Sequence, residues 1–290
     1  QDILKSELNK FDDEVRMIFK GKNILDLEDK CPISDNVFYS EKNYGGLGIT
    51  KTIDEQMVQG VIRIFKLLNS NHMAVRKILK EELIDVANSR TEEDIATLED
   101  ACKWVDGTYL HITNKTIGKT WLTRIRHAFK DLRTHGITAT IVFQNGEANI
   151  RIISDTRPKP MTFNKEISKV LSPTLHQMIR ERYLAAWKAM NCQGHILNLP
   201  IDKHMEWKWP KLLEDADFRF LTKAKSNLLN LNARQEKRAN HMELKCRHCD
   251  STEDQVHVIN RCFKGNYIRI QKHNKVQNRL VSLLRTKLRD

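Results

Sequence analysis

Four potential metal ligands fall within seventeen residues, as Cys246-x2-Cys249-x7-His257-x4-Cys262. This cluster limits the folding of the 290-residue chain more sharply than any other feature. Two cysteines two residues apart make a tight turn that supplies one edge of a tetrahedron. His257 and Cys262, with four residues between them, supply the other edge. Thiolates and an imidazole suit zinc, which is the expected ion. With every position filled by protein, the site is expected to be structural and to lack a place for a catalytic water. Residues 246–262 then cannot form one long helix. His241 and His248 are rival ligands. The plainer alternative is that the cysteines are small buried apolar residues without metal, which is also the reading for the isolated Cys31, Cys102 and Cys192. This usage suits a reducing compartment better than a disulfide framework does.

Charge is concentrated around the cluster. The net charge is +12, with −6 in residues 1–100, +8 in 101–220 and +10 in 221–290, where 16 Lys/Arg face 6 Asp/Glu. Dense positive charge releases counterions from phosphates, which makes nucleic acid the natural partner. An ordinary solvated face, an acidic protein or a membrane surface are the alternatives. Hydrophobic residues make up 40% of the chain, enough to bury a core. No run of about 18 apolar residues is present, so no membrane-spanning helix is expected. The chain starts at Gln1 rather than Met, and a piece of a longer polypeptide is expected.

Periodicity divides the rest. Leu4, Leu8, Phe11, Val15, Ile18 and Phe19 recur at a helical spacing. So do Ile53, Met57, Val61, Ile64, Phe65 and Leu68, and then Val75, Leu79, Leu83 and Val86. Residues 91–105 read as an acidic helix capped by Thr91 with Asp94. Residues 121–134 read as a helix closed by Gly136. Ile137, Ala139, Ile141 and Phe143 alternate, as do Ala148, Ile150 and Ile152, and Asn145-Gly146 between them predicts a hairpin. Residues 155–160, with Pro158 and Pro160, read as a linker. Residues 165–190 read as a helix kinked near Pro173, 212–238 as helical, and 266–289 as a basic helix. The expected class is mainly α. Its expected parts are a helical bundle over 1–100, a helix with one β-hairpin over 101–160, a helical linker over 161–240, and a zinc knuckle with a basic helix over 241–290.

Three motifs stay weak. Phe11-Asp12-Asp13 could mimic paired magnesium-binding aspartates, but its helical setting reads as an exposed helix edge. Glu243-x-Lys245 is half of a nuclease pattern with no Pro-Asp partner upstream. Trp207 and Trp209 beside Pro210 read as core anchors rather than base-stacking groups.

Asp12-Asp13-Glu14-Val15-Arg16, Val37-Phe38-Tyr39 and Gly45-Gly46-Leu47-Gly48-Ile49 together resemble the start of the thumb in reverse transcriptases of non-LTR retrotransposons. The nearest type is the site-specific group with a restriction-like endonuclease. Leu231-Asn232-Ala233-Arg234 is similar to that group's leucine-proline-threonine-arginine stretch, with Asn232 in the proline's place. Gln271-Lys272-His273-Asn274-Lys275 resembles the segment after the family's knuckle. Residues 105–195 match by position alone.

The resemblance implies a parent enzyme that nicks DNA and primes reverse transcription of its own RNA from the nick. Polymerase fingers and palm would precede residue 1, and the nuclease would follow residue 290. No catalytic residue is expected within this chain. Template–primer duplex and target DNA are the implied partners, and the nucleus the implied location. Arg247, Lys264, Arg269, Lys272, His273, Lys275 and Arg279 are the expected nucleic-acid contacts. A host-adopted zinc module without a polymerase parent and a zinc-stabilised interaction scaffold are the competing readings.

Overall fold

The computed structural model describes residues 3–20, 33–91, 95, 97–109, 120–191, 193–198, 215–227, 229, 231 and 244–287. Cys31, Cys192, Trp207, Trp209, Asn232, Arg234, His241 and Glu243 lie outside the described residues. The chain divides into two compact units, residues 1–212 and 213–290. The architecture is mainly α with one small antiparallel sheet, as expected from the periodicities.

The first unit is built on α3 (Thr52–Leu68), whose buried face includes Met57, Val61, Ile64, Phe65 and Leu68. It carries all six apolar positions read from the sequence at helical spacing, and the sixth, Ile53, is buried with the others. Against α3 pack α1 (Ile3–Lys20), α4 (Met73–Asn88), α6 (Trp121–Thr134) and α7 (Leu171–Lys188). α5 (Leu98–Asp106) joins α4 to α6 and buries Cys102 and Trp104. A single apolar core runs from Met57 to Ile179. The boundaries expected at residues 100 and 160 therefore fall inside one core, because every helix from α3 to α7 turns its apolar stripe to the same interior.

The sheet has the order β1 (Ile137–Gln144), β2 (Glu147–Ser154), β3 (Arg157–Phe163). Asn145 and Gly146 both take positive φ, at 52° and 78°, as a two-residue hairpin turn requires. Register pairs Ile141 with Ile150 and Ala139 with Ile152, which places all four on the buried face. Residues 155–160 are not a linker. They turn at Asp155–Thr156 into β3, which pairs with β2 alone. An edge strand tolerates Pro158 and Pro160, since a ladder bond is not demanded of each amide. The expected single hairpin is thus a three-stranded sheet.

Polar side chains tie helices to this sheet. Asn69, at the end of α3, donates from Nδ2 to the Ala148 carbonyl at 2.8 Å and accepts from the Ala148 amide at 3.2 Å. Asp106 accepts the Ile141 amide at 2.9 Å. Asp12 is not an exposed helix edge. It is buried, and its carboxylate accepts the Thr52 amide at 2.8 Å, capping α3 from α1. Its neighbour Asp13 is exposed and pairs with Arg16.

Two further start signals shift. α5 begins later than expected, with Thr97 accepting the Asp100 amide, while the Thr91 hydroxyl donates to Ala87. Pro173 sits in the first turn of α7, where its missing N–H breaks no helical bond, so it opens the helix rather than kinking it.

The glycine-rich segment folds back onto α2 (Asp35–Tyr39). The amides of Leu47, Gly48 and Ile49 donate to the carbonyls of Val37, Ser40 and Phe38 at 2.9–3.0 Å. A Cβ on Gly46 would collide with the Ser40 carbonyl, and Gly48 holds φ at 66°. The two stretches Val37-Phe38-Tyr39 and Gly45–Ile49 are therefore one structural element, although five residues separate them.

Candidate metal centre

The second unit starts from α8 (Asp215–Lys225) and ends in α9 (Asn266–Lys287), with the cysteine cluster between them. Lys245 bridges Thr252 antiparallel, and the Cys246 amide donates to Ser251 at 2.7 Å. This miniature hairpin carries Cys246 and Cys249 on its turn, where the Cys249 amide donates to the Cys246 carbonyl. The chain then coils through a wide helical turn, His257–Arg261, closed by the Cys262 amide donating to the His257 carbonyl at 2.7 Å. A five-residue step of this kind puts ligands with four residues between them on the same side of the turn. As expected, residues 246–262 form no long helix.

The four side chains converge. Their ligand atoms all lie within 4.8 Å of one another and could hold a metal ion. Cys246 Sγ stands 3.9 Å from Cys262 Sγ, and Cys249 Sγ stands 3.2 Å from His257 Nε2. Cys246, His257 and Cys262 are buried and Cys249 is half-buried. His248, a rival on sequence grounds, is exposed and outside the cluster.

Two carboxylates and a set of backbone amides fix this arrangement. Glu253 is buried, and its carboxylate accepts the Arg247 amide at 2.8 Å with the guanidinium beside it at 3.5 Å. Asp254 accepts the His257 amide at 2.6 Å and so starts the turn that aims the imidazole. Burial opposes ionisation of Cys262, but the Gly265 and Lys264 amides directed at its sulfur outweigh burial and hold its thiol below the ordinary range. At Cys246 the His248 amide acts in the same sense but is outweighed by burial and the adjoining thiols, and the thiol is raised. The two thiols are thus shifted in opposite directions, Cys262 toward ionisation and Cys246 away from it. The spacing Asp254-x2-His257 was a readable cap signal; the inward turn of Glu253 had none.

The expected nucleic-acid residues separate by role. Arg247 is drawn toward Glu253, and Arg269 donates to the Cys262 carbonyl at 2.8 Å, so both brace the cluster. Lys264 and Lys275 are exposed. Lys272, His273 and Arg279 lie on α9, and their side chains fall outside those described.

A second candidate lies in the first unit. A groove of about 350 Å³ runs between α1, α3 and α6, lined by Lys5, Gly60, Arg63, Trp121, Arg124 and Asp131. Lys5 pairs with Asp131 at 2.7 Å, and Trp121 donates to Glu82. No group of three potential metal ligands lines it among the described residues. The cysteine cluster is the stronger site. Among the described residues no helix is long and apolar enough to cross a membrane. Compared with family models, with curated proteins and with solved structures, the chain matches none.

Proposed function

We propose that this chain is a nucleic-acid-binding segment of a retrotransposon reverse transcriptase, stabilised by one zinc ion on Cys246, Cys249, His257 and Cys262. The observation that carries the reading is the convergence of these ligands at the foot of a helix free of acidic residues. From Arg261 to Arg289 the sequence has nine Lys/Arg and no Asp/Glu.

Zinc is favoured by ligand chemistry and by spacing. Zn–S bonds of about 2.3 Å in a tetrahedron place two sulfurs about 3.8 Å apart. The Cys246 and Cys262 sulfurs stand 3.9 Å apart. Three thiols and one imidazole leave no open position, so the ion's contribution is to hold the fold. The basic helix that follows supplies phosphate contacts that are insensitive to sequence.

The polymerase parentage rests on the glycine-rich segment and its packing against Val37-Phe38-Tyr39, together with the knuckle about 200 residues later. In that setting the first unit holds a template–primer duplex and the second guides the nucleic acid, inside the nucleus. Polymerisation and cleavage belong to parts of the parent outside these residues.

One experiment tests the binding claim. Metal content is measured beside affinity for an RNA–DNA hybrid across a salt series, for wild type and Cys249→Ser. About one zinc per chain and an affinity that falls steeply with salt and with the substitution are expected. An absence of metal refutes the centre, and metal without affinity refutes the nucleic-acid role in favour of an interaction scaffold. Parentage is read from the genomic frame upstream of Gln1. A polymerase palm there supports it, and a start codon just before Gln1 refutes it.

A further inference from the structure

The turn after Cys262 and helix α9, which continues it, carry an apolar stripe that the metal centre leaves unused. Phe263, Tyr267 and Ile270 are 62%, 68% and 50% exposed. They follow directly on the ligand Cys262 at spacings of four and three residues, which lie on one side of a helix. Phe263 opens a short turn, Phe263–Gly265, and α9 continues from it without a break. The Lys264 ammonium stands 5.5 Å from the centre of the Phe263 ring.

Scattered apolar residues on a surface need no explanation, but a contiguous run with two aromatic rings does. The surroundings narrow the partner. The stripe lies in a stretch with no Asp or Glu between Asp254 and Asp290. Its partner must be polyanionic and must also offer flat apolar faces. An unpaired nucleic-acid strand has both, since its phosphates face the cations and its bases can lie on the rings. A duplex keeps its base faces inside the stack and presents phosphates and base edges only. It would leave the rings uncovered.

We propose that Phe263 and Tyr267 form a stacking platform for unpaired bases of a single-stranded nucleic acid, whose backbone runs past Lys264 and Lys275. The two residues are four apart in sequence, a spacing that on a continuous helical path makes side chains neighbours at about 5–6 Å, close enough for neighbouring bases to reach neighbouring rings. Lys275 lies eight residues beyond Tyr267, about 12 Å along the helix, so the strand has room for a few nucleotides between them. This inference rests on the nucleic-acid reading above and adds to it a preference for single strands, with the residues that confer it.

The test uses the full zinc-loaded chain and two labelled probes, an oligothymidylate of about 15 nucleotides and a hairpin DNA duplex. In Phe263→Leu/Tyr267→Leu the apolar bulk stays and the aromatic faces go. Affinity for the oligothymidylate is expected to drop by about 10-fold or more, since stacking on a ring is worth that much per base. Duplex affinity, metal content and the dependence of affinity on salt are expected to stay as in wild type. Phe263→Trp/Tyr267→Trp is expected to keep or raise strand affinity. Should the leucine pair lose metal, Tyr267→Leu alone, further from Cys262, decides in its place. Equal losses for strand and duplex overturn the platform. So does unchanged strand affinity in a protein whose Lys264→Glu/Lys275→Glu variant binds both probes more weakly, and that result leaves the nucleic-acid reading standing. Failure of the wild type to bind either probe overturns both.

Discussion

The two units of this chain are held together by different physics. The first buries Trp104, Phe65, Phe129, Leu83 and Ile150 in one continuous core shared by five helices and a sheet. Among its described residues the second shows no such core. The apolar groups buried there are Cys246 and Cys262, two of the four clustered side chains, while Phe263, Tyr267 and Ile270 face solvent. A short segment without apolar burial cannot offset its own conformational entropy, and metal coordination is the usual remedy. The comparison teaches that stability here is divided as well as structure. One unit should answer to packing and the other to metal.

The sharpest way to break that comparison is to strip the proposed metal ion. Chelation, or Cys262→Ser, is expected to unfold residues 244–262, because structural zinc contributes on the order of 10 kcal/mol to folding in small modules. Limited proteolysis read by mass spectrometry should then show cuts confined to the second unit, with the first intact. Cuts that spread into residues 52–188 would mean that the units are not independent.

The converse substitution attacks packing. Trp104 is fully buried, stacks with the Arg126 guanidinium 5.1 Å from its ring, and lies at the junction of α5 with α6 and β1. Trp104→Ala is expected to cost about 3–5 kcal/mol. The thermal transition of the first unit should fall while metal content stays constant. A loss of metal in this variant would sink the separation of the units as surely as the first test could.

Much of this division was legible in the sequence, and the gaps have specific causes. α3 was readable because Met57, Val61, Ile64 and Leu68 repeat at 3.6 residues, and the hairpin because Asn145-Gly146 accept positive φ where other pairs resist it. The ligand set was readable because coordination chemistry restricts spacing more tightly than packing does. β3 was hidden by Pro158 and Pro160, which argue against a strand unless it is known to lie at an edge. Asp12 was hidden because its partner, the Thr52 amide, is 40 residues away. α1 misled in another way, since Phe11 and Ile18 keep helical spacing yet remain exposed. Periodicity reports a face, not what covers it.

Asp12 gives a smaller test of the same contrast. Asp12→Ala removes the acceptor for the first amide of α3 and is expected to lower the stability of the first unit by about 1–2 kcal/mol. Asp12→Asn, which keeps an acceptor oxygen, should lose less. Chemical denaturation of the two variants, followed by the fluorescence of Trp104 and Trp187, measures both. Equal losses would show that charge at the helix start matters more than the hydrogen bond.

The smallest expected effect is one of pH, and its sign differs between the units. His135 lies at the end of α6 with Nε2 3.4 Å from the buried Asp54 carboxylate, which also accepts the Tyr183 hydroxyl at 2.8 Å. Burial opposes a charge on the imidazole, but the hydrogen bond and attraction of Asp54 outweigh it and raise its pKa above the ordinary value. A folded pKa above the unfolded one means that protonation favours the fold. The contribution is fully present below the unfolded pKa and is lost as pH rises through the folded one. As pH rises above the ordinary histidine range, about 6.5, the first unit should therefore weaken slightly. The second unit should strengthen over the same range, because thiolates and a neutral imidazole must give up protons to bind metal. His135→Gln is expected to flatten the first slope and leave the second unchanged. Parallel slopes in wild type would mean that a common set of groups governs both units, and the division by physics would not hold.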